Sequence, residues 1–492
     1  MPTTKPTAPN PRHAAVNFDN AGDTASAVAC AWQALDEAPG DFTDKALLVR
    51  LLHREPEHAD PAREAQLHAL LIDPELDPYL LAPAGWAALR NGGRLPLDAE
   101  PEAVADWLEA EPFPRALLAE SFVGSLDVEA LFTRLRRWLL LEDRAADYPL
   151  SLAALLAQAR LNGGAWLFDA EERARLDAAP GAAIAPAYRP PNPRTVAKTY
   201  DSPVTQAVAE QYASWPFPIW RRVMSPPGES LRGFYRNFGP GAEHWVPEDA
   251  EILVAGCGTG REALRMSRWN PKGRVTAIDI SATSLAYAEE HCAANGATNI
   301  AFEQRDLHTV AQMGRTFDFI SCCGVLHHLP DPEAGWAALT EVLRPGGVQR
   351  IMVYSHVARL AVFAARARLA DLLDRRLDDD LLREARARLL GDDPPHRLTR
   401  SPAFFFLGGV HDLVLHRHED PFTVDRIRRG IERQGLDFCG FRLPARPDYA
   451  RYRREHPEDP WRRDYAAWAA LERKDFRLFA QMYDFACRKP LA

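Results

Sequence analysis

The stretch EILVAGCGTGR, residues 251–261, joins a short aliphatic run to three glycines at alternate positions. The aliphatic run predicts a buried strand, and Gly256, Gly258 and Gly260 predict a tight turn that leads into a helix. Because glycine has no side chain, the backbone at these positions can lie close to a bound ligand. The stretch therefore predicts a strand, a loop and a helix that together bind a nucleotide-like cofactor.

Short β-branched runs alternate with helical patterns from about residue 246 onward. Strands that alternate with helices need crossover connections, and such connections produce a parallel sheet. We therefore predict an α/β domain with a Rossmann-like, doubly wound sheet that binds its ligands beyond the carboxyl ends of the strands. Its further strands are predicted in RVTAIDI (274–280), IAFEQRD (300–306), FDFISCC (317–323) and VQRIMVYS (348–355).

Two aspartates come at the ends of predicted strands. Asp279 ends the second strand, at the separation where a carboxylate can accept hydrogen bonds from two ribose hydroxyls. Asp306 ends the third strand, where a carboxylate can accept from an adenine amino group. Either residue alone is also typical of a helix N-cap or a turn. A dinucleotide fingerprint needs its third glycine at the position of Arg261, so a nicotinamide-dependent oxidoreductase is the less favoured alternative.

Together with FDFISCCGVLHHLPDP (317–332) and LRPGG (343–347), these residues resemble the class I S-adenosylmethionine-dependent methyltransferases. A narrower resemblance is to a bacterial subgroup in which a helical, tetratricopeptide-associated domain precedes the methyltransferase. The segments that carry it are QYASWPFPIW (211–220), VHDLVLHRHEDPFT (410–423), LDFCGF (436–441) and MYDFACRK (482–489).

The resemblance implies a seven-stranded sheet, S-adenosylmethionine as cofactor, and transfer of a methyl group to an N, O or S nucleophile. The acceptor is expected to be a peptide, a protein or a small molecule. A scaffold that binds the cofactor without catalysis stays open as a second alternative. The residues implied to bind the cofactor are Gly256, Cys257, Gly258, Gly260, Asp279, Ile280, Asp306, Leu307 and Cys323.

Methyl transfer is an in-line displacement, so it needs a general base only when the nucleophile arrives protonated. His327 and His328 follow the predicted fourth strand and are candidate catalytic residues, with packing or structural hydrogen bonding as the alternative. Tyr212 and Tyr354 are further candidates by position. The aromatic residues beside two prolines in WPFPIW (215–220) predict a stiff lip over the cofactor, or else simple packing against the sheet.

A cluster of histidines and carboxylates occupies residues 411–420. In an extended segment, His416, His418 and Asp420 would lie on one side. We expect His416 or His418 to reach the methyl acceptor, so both are candidate catalytic residues, with a solvated or structural role of the cluster as the alternative. Two imidazoles and a carboxylate are also ligand types for transition metals, but we assign no metal here.

The chain is long enough for about three domain-sized units. We predict a disordered tail over residues 1–20, a helical domain over 21–178, a proline-rich linker over 179–198 and the methyltransferase domain over 199–492. Within the last, a helical insertion over residues 356–422 is predicted to form a lid. The sheet is expected to close with an antiparallel pair at about 437–443 and 479–489.

The formal charge is −9 at pH 7, which argues against non-specific nucleic-acid binding. Seven scattered cysteines without a C-x-x-C pair predict reduced thiols rather than a disulfide framework. No apolar signal core and no long apolar span is found, so we expect a cytoplasmic protein without a membrane partner. The oligomeric state stays open, a homodimer included.

Overall fold

The computed structural model of the chain describes residues 10–178, 199–224, 229–236, 238–392, 396–443, 446–479 and 482–491. Two compact units are formed, the first by Met1–Arg189 with Arg221–Pro227 and the second by Pro190–Trp220 with Gly228–Ala492. The predicted linker lies outside the described residues. No sequence pattern near residue 221 indicates that this segment belongs with the helical unit.

The described part of the first unit is helical, as predicted. Apolar residues at helical spacing, such as Leu131, Leu135 and Leu139, are fully buried in one continuous core. The helices are α1 (Pro11–Ala21), α2 (Thr24–Glu37), α3 (Phe42–Arg54), α4 (Glu64–Ile72), α5 (Pro78–Asn91), α6 (Pro101–Ala110), α7 (Pro112–Glu120), α8 (Leu126–Leu141), α9 (Pro149–Asn162) and α10 (Ala170–Ala178).

The predicted tail is wrong for residues 11–20, which form most of α1. Asn10 caps this helix by accepting a hydrogen bond from the His13 N–H, and proline follows at the first helical position. Arg12 also pairs with the carboxylates of Asp41 and Asp44. A cap and an ion pair therefore fix a segment whose composition resembles that of a mobile tail.

The second unit contains the predicted sheet. Within the described residues it has seven strands in the order β3-β2-β1-β4-β5-β7-β6, and β7 runs in the direction opposite to the other six. The strands are β1 (Glu251–Ala255), β2 (Arg274–Asp279), β3 (Ile300–Gln304), β4 (Phe317–Cys323), β5 (Leu343–Tyr354), β6 (Asp437–Arg442) and β7 (Met482–Arg488). The predicted strands and the predicted closing pair are confirmed.

Both faces of the sheet are covered. Ile252 and Val254 contribute to one hydrophobic core, and Leu253 and Ala255 contribute to the other, because successive side chains of a strand point to opposite faces. The helices of this unit are α11 (Pro203–Ser214), α12 (Leu231–Tyr235), α13 (Arg261–Trp269), α14 (Ala282–Ala294), α15 (Pro332–Glu341), α16 (Leu360–Arg368), α17 (Ala370–Leu373), α18 (Asp379–Leu390), α19 (Leu407–Val410), α20 (Val424–Arg433), α21 (Arg446–Glu455) and α22 (Tyr465–Lys474).

The chain order reverses between β1 and β4, so their carboxyl ends flank the crevice where sheets of this kind bind ligands. The insertion leaves and returns at the carboxyl end of β5. There, Ser355 and Phe422 form an isolated bridge, and the Phe422 N–H donates to the Tyr354 carbonyl at 2.8 Å. This connection brings the insertion to the same edge of the sheet as the crevice.

A buried ion network joins three elements at this edge. Arg350 of β5 donates to Asp484 of β7 at 2.8 Å and to Glu262 of α13 at 2.7 Å. Although burial opposes charge, Asp484 and Glu262 hold the pKa of Arg350 well above its usual value. Ser321 of β4 also donates to Glu262 at 2.9 Å, so one network ties the central strands to α13.

None of the helices in the described ranges is both long and apolar enough to cross a bilayer.

Replacing Asp484 by Ala should lower the free energy of unfolding by about 3 kcal/mol, because it leaves the buried Arg350 with an incomplete set of partners. Urea denaturation of the full chain measures this loss. Asp437→Ala on the neighbouring strand is the matched control, since Asp437 is exposed. A loss no larger than that of the control would contradict a supporting role for the network.

Candidate functional site

A cavity of about 420 Å³ opens at the carboxyl ends of the parallel strands. Its volume lies in the usual range for sites that bind small molecules. Most of the predicted cofactor residues line it: Gly256, Cys257, Gly258, Asp279, Ile280, Asp306, Leu307 and Cys323. Residues far apart in the sequence thus meet at one edge of the sheet, as the strand pattern predicts.

The glycine loop between β1 and α13 depends on left-handed backbone conformations. Gly256 and Gly258 have φ of 69° and 51°. A Cβ at Gly256 would lie 2.3 Å from the Val325 side chain, and one at Gly258 would lie 2.9 Å from the Phe217 carbonyl. Neither position has room for a side chain, so the loop presents bare backbone to the cavity.

Gly260 has a different place. It is not among the described residues that line the cavity, and a Cβ there would lie 2.7 Å from Cβ of Ala288 in α14. This glycine lets α14 pack closely against the start of α13. Its predicted contact with the cofactor therefore stays a prediction, while its packing role follows from the geometry.

Asp279 supports the loop and faces the cavity. Its carboxylate accepts from the Gly258 N–H and from the Ser281 N–H, both at 2.8 Å. Burial raises the pKa of Asp279, although these hydrogen bonds oppose the rise. Each oxygen of a carboxylate has a second lone pair, so the group can still accept from ribose hydroxyls.

Asp306 lies two residues beyond β3 rather than at its end. It caps the 3₁₀ turn Leu307–Met313 by accepting from the His308 N–H at 2.9 Å. The cavity lining nevertheless includes Asp306 and Leu307. The capping interpretation therefore holds for Asp306, whereas its contact with an adenine stays a prediction.

The aromatic lip lies against the glycine loop. The indole of Trp220 is fully buried and donates to the Thr259 carbonyl at 2.9 Å, and the Thr259 hydroxyl donates to the Pro218 carbonyl. Tyr287 of α14 donates to the Trp220 carbonyl at 2.6 Å. Phe217 and Pro218 line the cavity, so the lip packs on the protein and also faces the site.

These features fit S-adenosylmethionine. The loop is a cradle that any Cβ would fill, and the same cavity is lined by two carboxylates, which can accept hydrogen bonds from a ribose or an adenine. The cavity lining also includes Arg261 and Arg265 of α13, cationic side chains suited to a ligand carboxylate. Donors, acceptors and bare backbone therefore match an adenosyl amino acid along the length of the site.

The end of the cavity nearest β5 holds two tyrosines and an aspartate. The hydroxyl of Tyr212 donates to Asp412 Oδ1 at 3.0 Å, and the hydroxyl of Tyr354 donates to Asp412 Oδ2 at 3.1 Å. All three residues line the cavity. Burial raises the pKa of both tyrosines well above 10 and raises the pKa of Asp412 above its usual value.

The histidines beside this group are neutral. Burial lowers the pKa of His328 to about 3 and that of His416 well below 6.5. We assign tautomers from the hydrogen bonds. His328 Nδ1 donates to the His418 carbonyl at 2.8 Å, whereas His416 Nδ1 accepts from the His418 N–H at 3.2 Å. The proton of His416 therefore lies on Nε2, which donates to the Tyr212 hydroxyl at 3.2 Å.

The predicted catalytic residues fall into two groups. Tyr212 and His328 line the cavity, and His416 contacts both, since its ring stacks on His328 with a centroid distance of 3.6 Å. His327 and His418 are not among the described lining residues. His327 Nδ1 accepts from the Tyr354 N–H at 3.2 Å, and His418 contacts the site through its backbone.

The histidine cluster is not extended throughout, because His411–Leu415 forms a π-helical turn. Residues 416–420, which include His416, His418 and Asp420, are not helical, and Asp420 pairs with Arg426. Ligand atoms of His328, Asp412 and His416 do lie within 4.8 Å of one another. However, a metal ligand must present an unprotonated nitrogen, and His416 Nε2 carries the proton in the assigned tautomer. The hydrogen bonds therefore oppose a metal at this position.

Sequence reasoning left Asp412 without a role and missed Glu262, which also lines the cavity. Asp412 belongs to the histidine cluster, but only the π-helical turn aims it at the tyrosines. The position of Glu262, two residues after the third glycine, was a signal that could have identified it. Arg350, its partner on β5, has no local sequence signal.

A model of the family described as a methyltransferase domain matches residues 252–347. An uncharacterized protein of Synechococcus is 36% identical over 252 residues, which are 48% of this chain and 60% of that protein. The ubiquinone biosynthesis O-methyltransferase of Methylococcus capsulatus is 40% identical over 101 residues, which are 20% of this chain and 40% of that enzyme. The chain thus spans less than two thirds of the length of these relatives.

Among solved structures, that of PKMT2 from Rickettsia typhi is similar to this chain with 14% identity and a TM-score of 0.40. The match covers 53% of this chain and 54% of that protein.

The fold and the glycine loop define a Rossmann-like, cofactor-binding α/β domain with the antiparallel seventh strand described above. The family match adds that residues 252–347, within this domain, are similar to a methyltransferase domain.

Acid should destabilise the protein through these buried histidines. An imidazole whose pKa is lowered in the folded state binds a proton more readily in the unfolded chain. The free energy of unfolding is therefore not reduced by this group above pH 6.5, and it falls as the pH drops from 6.5 toward 3. His328→Gln should therefore reduce the pH slope of the unfolding free energy in this range by up to about 1.4 kcal/mol per pH unit.

Urea denaturation at several pH values measures this slope. His418→Gln, which changes a half-buried imidazole in contact with the same segment, should have a smaller effect. An unchanged slope in His328→Gln would contradict the buried, neutral state of His328.

Proposed function

We propose that this protein transfers a methyl group from S-adenosylmethionine to an N, O or S nucleophile of a peptide, a protein or a small molecule. The observation that carries the proposal is the pairing of a side-chain-free glycine loop with Asp279 and Asp306 around one cavity. The match of residues 252–347 to a methyltransferase domain supports the same activity.

The residues of the chain divide the work along the cavity. Gly256 and Gly258 let the backbone approach the methionine part of the cofactor, and Asp279 accepts from its ribose hydroxyls. Asp306 accepts from the adenine amino group, beside the apolar side chains of Ile280 and Leu307. The group bound there supplies an electrophilic methyl carbon on a sulfonium, so alignment of the acceptor provides much of the acceleration.

The tyrosine and histidine side chains at the β5 end form the acceptor part of the site. Tyr212 and His328 line it directly, and His416 orients Tyr212 through the Nε2–H bond. His327 and His418, first predicted to be catalytic, act in this proposal only as positioning residues. His327 accepts a hydrogen bond from the backbone N–H of Tyr354, and the backbone carbonyl of His418 accepts one from His328. We further propose a cytoplasmic location, with the seven cysteines kept as free thiols.

The most informative test uses S-adenosylmethionine labelled in its methyl group. The full chain is incubated with cell extract, and the label is followed into protein, nucleic-acid and small-molecule fractions. Label in the protein or small-molecule fraction supports the proposal. Cofactor binding without any label transfer would favour the scaffold alternative, and tight binding of NADH in place of S-adenosylmethionine would favour the oxidoreductase.

Asp279→Ala should weaken binding of S-adenosylmethionine and S-adenosylhomocysteine by about 1.5 to 3 kcal/mol, the range for loss of hydrogen bonds to a charged group. Isothermal titration calorimetry measures both affinities. Asp425→Ala is the control, because Asp425 is exposed on α20 and is not among the described residues of the cavity. If both variants bind S-adenosylmethionine and S-adenosylhomocysteine with equal affinity, the assignment of Asp279 to the ribose is contradicted.

A further inference from the structure

We propose that the methyl acceptor is an amine that enters the site as its ammonium form, and that Asp412 binds this cation and removes its proton before methyl transfer. The inference rests on the proposed function and narrows its acceptor from an N, O or S nucleophile to an amine nitrogen. It assigns Asp412 as a catalytic residue and the hydroxyls of Tyr212 and Tyr354 as the groups that position it.

The first argument is the placement of Asp412. Its side chain is about 7% exposed, and its carboxylate lines the cavity between two tyrosine hydroxyls at 3.0 and 3.1 Å. Both hydroxyls keep their protons because removal from solvent raises the pKa of each tyrosine. They therefore donate to the carboxylate and favour its charged form.

The second argument is charge. Among the described residues, no Lys or Arg side chain lies within ion-pair distance of Asp412. The nearby guanidinium of Arg359 pairs with Glu419 and packs on the ring of Tyr354, 4.1 Å from its centroid. The imidazoles of His328, His411 and His416 are neutral, since burial lowers the pKa of each. A buried carboxylate without a cation of its own is costly, and a cationic ligand removes that cost.

The third argument is the set of atoms that this end of the cavity offers. Asp412 accepts only, the Tyr212 oxygen has a lone pair left, and His328 Nε2 is an acceptor because Nδ1 donates to the His418 carbonyl. Tyr212 and Tyr354 line the same end, and both of their hydroxyls are held by the carboxylate of Asp412. An ammonium group, with three N–H donors and a positive charge, satisfies these groups better than a hydroxyl or a thiol does.

The reaction is balanced with these groups alone. The ammonium gives a proton to Asp412, which leaves a neutral amine and a carboxylic acid. The amine nitrogen then uses its lone pair to form a bond to the methyl carbon, while the carbon–sulfur bond breaks and its electron pair stays on sulfur. The products are an N-methylammonium ion and S-adenosylhomocysteine. Burial lowers the proton affinity of an ammonium and raises that of a carboxylate, so both shifts favour the first step.

The test combines label transfer with cofactor binding in the full chain. The wild type, Asp412→Asn and the control Asp425→Asn are incubated with cell extract and S-adenosylmethionine that carries the label in its methyl group. The labelled product is treated with base and applied to a cation exchanger. A methyl ester releases volatile methanol, whereas an N-methylamine resists base and is retained as a cation.

We expect an N-methylamine from the wild type and from the control. Asp412→Asn should transfer label at least about 100-fold more slowly, the lower bound usual for a lost general base, while its affinity for S-adenosylmethionine and S-adenosylhomocysteine changes less than twofold. Label on oxygen or sulfur, or full activity in Asp412→Asn, would overturn the inference while leaving the methyltransferase proposal intact. If Asp412→Asn binds S-adenosylmethionine more weakly but binds S-adenosylhomocysteine as the wild type does, the inference is also overturned. Asp412 would then stabilise the positive charge of the sulfonium rather than the amine.

A second variant covers the case in which Asp412→Asn does not fold. Tyr354→Phe keeps the ring but removes a hydrogen bond to the carboxylate, so the pKa of Asp412 should rise. The acid limb of kcat/KM should then move to higher pH relative to the wild type, whereas a merely structural role would change the rate without moving this limb. An unmoved limb would contradict the proton-accepting role. Absence of cofactor binding or of any label transfer by the folded wild type would refute the proposed function itself, and the inference with it.

Discussion

The close approach of the glycine loop to its neighbours is the constraint on which the rest of this site depends. Gly256 lies against Val325, two residues beyond β4, and Gly258 lies against the backbone of Phe217, so no side chain fits at either position. Asp279 holds the loop through the Gly258 N–H. The loop in turn determines where β1, β2 and β4 can surround a ligand, and the aromatic lip is bonded to the same loop through Thr259.

Electrostatics divides the site into two ends. Near α13, Glu262 and Arg350 stay charged because they belong to one ion network with Asp484. Near the insertion, removal from solvent keeps imidazoles and tyrosine hydroxyls neutral around a carboxylate. A site of this kind can hold a zwitterionic cofactor tail at one end and a cationic acceptor at the other without competition between them.

Much of the fold could be predicted from the sequence because parallel strands and glycine turns have strong local patterns. The run EILVA, the first two glycines after it (Gly256 and Gly258) and Asp279 at the end of β2 all have their expected places. The acceptor end could not be predicted in the same way. It depends on a π-helical turn that places Asp412, rather than His418, at the cavity. It also depends on the contact between Tyr212 and Asp412, which are 200 positions apart in the sequence. The helix α1 was missed because the partners that fix it lie outside the segment: Arg12 pairs with Asp41 and Asp44, and Ala15 packs into the core of the helical unit.

The central claim is that one cavity holds an adenosyl cofactor between the glycine loop and the two aspartates. A crystal structure of the full chain grown with S-adenosylhomocysteine tests it most directly. The account predicts ribose hydroxyls on Asp279, the adenine amino group on Asp306 and the sulfur directed toward Tyr212 and Tyr354. A ligand bound elsewhere, or a ribose that faces away from Asp279, would contradict it.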